Sequence, residues 1–132
     1  MTASDLPAEG QSDVPNEGTE APFDDVITLS TTTGEDGAVT VTVVGEVDTF
    51  TAPVLRSSLD TQLEQQPREL VIDLSGVQFL GSAGLAVLVE TQKSARSRDV
   101  DLRLVATTRA VTRPLEVTGL IDLFTIVDGS AR

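Results

Sequence analysis

Cysteine and histidine are both absent from this 132-residue chain. Without cysteine there is no disulfide framework and no thiolate metal site. Without histidine, zinc enzymes, histidine-based triads and histidine general bases drop out together. No metal and no tightly held cofactor is therefore expected. Aromatic residues total only 3% against 39% apolar residues, so the core must be built from Val, Leu, Ile and Ala. That composition suits an α/β domain with buried parallel strands better than an aromatic-rich binding sandwich. Bases are scarce as well: nine against 21 acids, for a net charge of −12 and a pI near 4.1. Such a balance opposes nucleic-acid phosphates and anionic membrane surfaces as partners. No segment is long and apolar enough to span a bilayer, and the N-terminus lacks the basic start and apolar core of a signal peptide. A soluble, cytoplasmic protein is expected.

The charge is unevenly placed. Residues 1–25 hold seven acids (Asp5, Glu9, Asp13, Glu17, Glu20, Asp24 and Asp25) and no base. Rich in Pro, Gly and Ser, with almost nothing to bury, this segment cannot recover its ordering entropy and is expected to be disordered. A solubilising tail is its plain role, and docking or regulation the alternative. Residues 26–132, with fourteen acids and nine bases, form one domain of ordinary size.

Within that domain, VITLST and AVTVTVVGEV are β-branched runs with period-two alternation around the turn signal TGEDG, which predicts an antiparallel hairpin. TAPVLRSSLDTQLEQQ follows, with Pro53 near its first turn and Leu55, Leu59 and Leu63 at helical spacing. ELVIDL is short and nearly all apolar, as a strand covered on both faces should be. A second helix follows the Ser82 junction through about Ala95, with Arg96 and Arg98 suited to its negative end. VDLRLVAT alternates as a strand. TRAVTRPLEVTGL predicts a third helix with Pro114 inside it, implying a late start or a kink. DLFTIV is expected to be a last short strand. The order β-β-α-β-α-β-α-β implies a mixed, largely parallel sheet opened by an antiparallel hairpin, with helices packed on it.

FLGSAGLAVL sets Ser82 where strand period gives way to helix period. A phosphate loop is excluded, since it needs Gly-Lys-Ser/Thr and the only lysine is Lys93. Gly81 and Gly84 supply only G-x-x-G, too little for a dinucleotide fingerprint. A nucleophile elbow needs a glycine two residues before the serine, where Leu80 stands, and a histidine. Asp48 and Asp73 are the acids left for a carboxylate mechanism, and nothing in their spacing marks a pair, so no enzyme is expected. On its residues alone the junction predicts Ser82 as a helix N-cap, with Gly81 easing the turn and Gly84 letting the helix approach the sheet.

Read together, VIDLSGVQFLGSAGLAVL and GEVDTFTAPVLRSSL resemble the two signatures of the STAS domain of bacterial anti-sigma factor antagonists. EVTGL resembles that family's third-helix ending. The resemblance implies a single STAS-like α/β domain over residues 26–132. It also implies a short apolar loop before the serine, and a switch rather than a catalyst. The partner would be an anti-sigma factor that is itself a serine kinase; binding it frees a sigma factor. By motif position Ser82 would be the phosphoacceptor, with a serine phosphatase reversing the modification. Asp48, Thr49, Gly81, Ser82, Ala83 and Gly84 would face the partner. The family commonly has Asp-Ser-Ser/Thr-Gly where this chain has Gly81-Ser82-Ala83-Gly84. That departure keeps a second possibility open: a STAS scaffold module that assembles a signalling complex without being phosphorylated.

Overall fold

The computed structural model of the chain describes residues 26–127. The acidic segment 1–25, expected to be disordered, lies outside the described residues, as do residues 128–132. Two strands, β1 (Ile27–Thr33) and β2 (Ala38–Val47), form the expected antiparallel hairpin, with Ile27 opposite Gly45 and Thr33 opposite Val39. Gly37 takes φ 85° in the turn between them, a left-handed conformation that favours glycine. The chain then runs through α1 (Ala52–Glu64), β3 (Glu69–Leu80), α2 (Ser82–Ser97), β4 (Asp101–Val105), α3 (Arg109–Val117), a short 3-10 helix (Leu120–Leu123) and β5 (Thr125–Val127). The sheet has the order β1-β2-β3-β4-β5, and every pairing after the hairpin is parallel.

That order decides where the helices go. Right-handed crossovers that keep stepping in one direction place each connecting helix on the same face of the sheet. The core agrees: one cluster joins Val39, Val41 and Val43 of β2, Leu70, Ile72 and Leu74 of β3, and Leu102 and Leu104 of β4 to side chains from all three helices. Leu55, Leu59 and Leu63 of α1 are at most 1% exposed, as their spacing predicts. Burying each such side chain is worth about 1.5–3 kcal/mol. The other face presents Thr40, Thr42, Glu69, Asp73 and Arg103, all partly exposed. Val71 and Val105 are buried there but stand outside the core cluster. The expectation that ELVIDL is covered on both faces is thus corrected, because a sheet wound in one direction has helices on one side only.

Two boundaries also differ from expectation. β3 does not stop at Leu74 but continues to Leu80, so strand replaces the apolar loop before the serine. β2 is long enough to partner it, through register shifts between Thr42 and Val44 and between Gly45 and Glu46, so that Val47 ends beside Leu80. The continued pairing satisfies backbone groups that a loop would leave to water. Near the C-terminus, Asp122 and Leu123 fall in the 3-10 helix and only Thr125–Val127 form strand. Gly119, at φ 76°, turns the chain out of α3, and the Gln92 side-chain amide of α2 donates to the Leu123 carbonyl at 2.7 Å, fixing the 3-10 turn against the core. Pro114 lies inside α3, which therefore lacks one internal hydrogen bond.

Candidate functional site

The parallel pair β2–β3 ends in two strand-to-helix corners side by side. Val47 and Leu80 are in register, and the Gly81 amide donates to the Val47 carbonyl at 2.9 Å. The corner after β2 leads into α1 and the corner after β3 into α2. Asp48 and Ser82, 34 positions apart in the chain, thereby line one depression of about 240 Å³ with Thr49, Phe79, Gly81 and Ala83. Five of the six residues expected at the site meet there. A second depression of about 240 Å³ adjoins it, lined by Thr49, Ala52, Pro53, Arg56, Ala83, Ala86 and Val87. Its edge carries the ion pair of Arg56 on α1 with Glu90 on α2. Hydrogen bonding to Glu90, ahead of simple charge attraction, raises the Arg56 pKa further above its usual value.

The first corner is built by Asp48. Its Oδ1 accepts the Phe50 amide at 2.9 Å and the Thr51 amide at 3.0 Å. In return the Asp48 amide donates to the Thr51 hydroxyl oxygen at 2.9 Å, and that hydroxyl donates to the Glu46 carbonyl at 2.7 Å. The arrangement has the reciprocal form of a capping box but lies just ahead of α1: the amides it satisfies are those of Asp48, Phe50 and Thr51, and Thr51, the N-cap of α1, makes no side-chain cap hydrogen bond. Asp48 is thus a builder of the corner as well as part of its surface. Asp73 is unrelated to it: it sits mid-strand opposite Thr42 and accepts from the Ser75 amide and hydroxyl at 3.0 and 2.6 Å. Six residues of strand, roughly 20 Å, separate Thr42 from Asp48, too far for a carboxylate pair.

The second corner corrects the expected cap. The N-cap position of α2 belongs to Gly81, which has no side chain to cap with, and Ser82 is the first helical residue. No side-chain cap hydrogen bond forms at this end of the helix, and Ser82 is exposed. Gly81 has φ −92°, an ordinary value, so the turn itself does not demand glycine. A Cβ there would lie 3.0 Å from Cε2 of Phe79, so the exposed ring would have to give by a few tenths of an ångström. Gly84 is a further correction. It is buried, and a Cβ on it would approach Val47 Cγ1 to 2.6 Å and Leu80 Cδ1 to 2.7 Å. It brings α2 close to the sheet, as its packing role predicts, and is not available to a partner surface.

Two apolar side chains at the corners are not marked as functional by residue type. Phe50, in the first corner, is 70% exposed, and Phe79, in the wall of the depression, is 51% exposed. The chain has only four phenylalanines and no other aromatic residue. That two of so few fall inside the two motifs was the clue available. Among the described residues no three His, Cys, Asp or Glu side chains are grouped as metal ligands, and no helix is long and apolar enough to cross a membrane.

Comparison with known proteins agrees with this architecture. The STAS domain family model matches residues 30–131. The anti-sigma-F factor antagonist RsfB of Mycobacterium tuberculosis is 35% identical over 100 residues, which cover 76% of this chain and 80% of that protein. The anti-sigma-B factor antagonist of Staphylococcus aureus is 31% identical over 99 residues, covering 75% of this chain and 92% of that one. Among solved structures, an anti-sigma factor antagonist from Mycobacterium paratuberculosis superposes with a TM-score of 0.72 at 39% identity, over 80% of this chain and 87% of that chain. With the match spanning nearly the whole folded region, including both corners, the chain belongs to the STAS domain family.

Proposed function

We propose that this protein is an anti-sigma factor antagonist of the cytoplasm. It binds a serine-kinase anti-sigma factor through the two corners around Ser82, which frees a sigma factor, and phosphorylation of Ser82 by that kinase ends the contact. A serine phosphatase returns it to the binding form. The observation that carries the proposal is the position of Ser82: an exposed hydroxyl on the first residue of α2, in a depression shared with Asp48, Thr49, Gly81 and Ala83. The names of relatives at 31–39% identity support the same class of activity.

Physical chemistry favours a switch here. The hydroxyl can enter a kinase active site without unfolding anything. A phosphate on it carries about −1.5 to −2 charges and lies at the positive end of the α2 dipole, so the domain stays folded when modified. The cost falls on the interface, where that charge has to be desolvated beside the apolar wall of the depression. Incubation with a purified serine-kinase anti-sigma factor and ATP, followed by peptide mass spectrometry, tests the proposal. One phosphate on Ser82 is the expected result. Tight binding with no phosphate transferred would instead favour the scaffold module, and a phosphate on a different residue would remove Ser82 from the switch.

A further inference from the structure

Phe79 is placed against the usual fate of an aromatic side chain. In a core built of aliphatic residues, Phe124 is 8% exposed, whereas Phe79 is 51% exposed at the very end of β3. One edge of its ring nonetheless packs on the chain. It lies against the backbone of Gly81, where an added Cβ would come within 3.0 Å of Cε2 and 3.3 Å of Cζ. Since Gly81 has an ordinary negative φ, the turn does not require the missing side chain, and its absence gives the ring room to lie close to the backbone. The ring forms a wall of the depression that contains Ser82. Any partner that covers the Ser82 hydroxyl therefore covers Phe79 too. The surroundings give that partner a chemistry: Glu46 is the cross-strand neighbour of Phe79, Asp48 lines the same depression, and the chain carries −12.

We infer that Phe79, seated on Gly81, is the anchor of this surface, received by an apolar pocket with a basic rim on the anti-sigma factor. The inference rests on the function proposed above and adds the residue that sets affinity. Aromatic side chains that lie near the centre of an interface and lose their water there dominate binding energies. A ring already packed along one edge against its own backbone loses less freedom on docking. The same geometry connects anchor to switch, because a phosphate on Ser82 keeps water in the depression that the anchor must empty.

The test is a titration of the host's purified serine-kinase anti-sigma factors with the parent protein and four variants, with thermal unfolding of each. Phe79→Ala should weaken binding by about tenfold or more, while Phe79→Leu, which keeps apolar bulk, should retain most of the affinity. Gly81→Ser introduces a Cβ that the ring can accommodate by moving a few tenths of an ångström, and supplies a favoured N-cap residue. It should fold normally and bind slightly less tightly than the parent. Val117→Ala, which trims a side chain 71% exposed on α3, should change nothing. Parent-like binding by Phe79→Ala overturns the inference alone. A parent protein that binds none of the kinases overturns the proposed function, and this inference with it.

Discussion

Replacing Ser82 separates a structural hydroxyl from a regulatory one, and the geometry sets both magnitudes. Were Ser82 the N-cap of α2, its loss to alanine would cost about 0.5–2 kcal/mol. The cap position is Gly81, however, and no side-chain cap hydrogen bond forms. Ser82→Ala therefore removes an exposed oxygen and gains slightly from the better helix propensity of alanine, a net change within about 0.5 kcal/mol. Ser82→Asp places a negative charge in the first turn, which stabilises by about 0.3–1 kcal/mol. For a domain of this size each kcal/mol moves Tm by about 4–8 °C, so urea or thermal unfolding resolves the two cases. The order in stability is thus aspartate above or equal to parent, with alanine beside parent. The order in affinity for the anti-sigma factor is reversed for aspartate, whose charge has to be desolvated next to Phe79, while alanine binds like the parent. A loss above about 1 kcal/mol for Ser82→Ala would show that the hydroxyl caps the helix after all. Parent-like affinity of Ser82→Asp, repeated with the phosphorylated protein, would refute the switch.

Three further substitutions or deletions test the frame around that residue. Asp48→Ala removes the acceptor of the Phe50 and Thr51 amides and should cost about 0.5–2 kcal/mol by urea denaturation; an unchanged midpoint would mean that water replaces the carboxylate without loss. Gly84→Ala would gain helix propensity of up to about 1 kcal/mol but sets a methyl against Val47 and Leu80 at 2.6–2.7 Å. Overpacking of that kind costs about 1–3 kcal/mol, so a net loss is expected, and a more stable variant would contradict the close approach of α2. Deleting residues 1–22, five acids and no base, should leave Tm within a few degrees, and a larger fall by calorimetry would mean that this segment packs on the domain.

What could be read from the sequence depended on whether a feature was set by local spacing or by a distant neighbour. Leu55, Leu59 and Leu63 announce the buried face of α1 through a repeat of four, and the alternation in β2 announces which valines enter the core. Each corner motif is contiguous in the chain and so stands out in the sequence; that five of the six residues meet in one depression follows from the register that sets Val47 beside Leu80. The extent of β3 was not, since residues 75–80 become strand only by pairing with the shifted second half of β2. One residue of helix phase separates an N-cap from a first helical residue, and composition alone places serine in either, so the sequence does not distinguish Ser82 from Gly81 as the cap. Asp48 and Thr51 hold a reciprocal turn just ahead of α1 whose second member is threonine and not the Glu or Gln of a capping box, so no motif marks it. Phe79 reads as core by residue type, and only the seat on Gly81 reveals an exposed ring packed along one edge.

The most direct test of the switch is to compare two forms of the intact chain: unmodified protein, and protein phosphorylated on Ser82 to completion by its kinase. Each is titrated calorimetrically against the same anti-sigma factor held in a non-hydrolysable nucleotide. The unmodified form should bind, and the phosphorylated form, folded to the same Tm or higher, should bind at least about tenfold more weakly, a difference of about 1.4 kcal/mol. Equal affinities of the two folded forms would contradict the account.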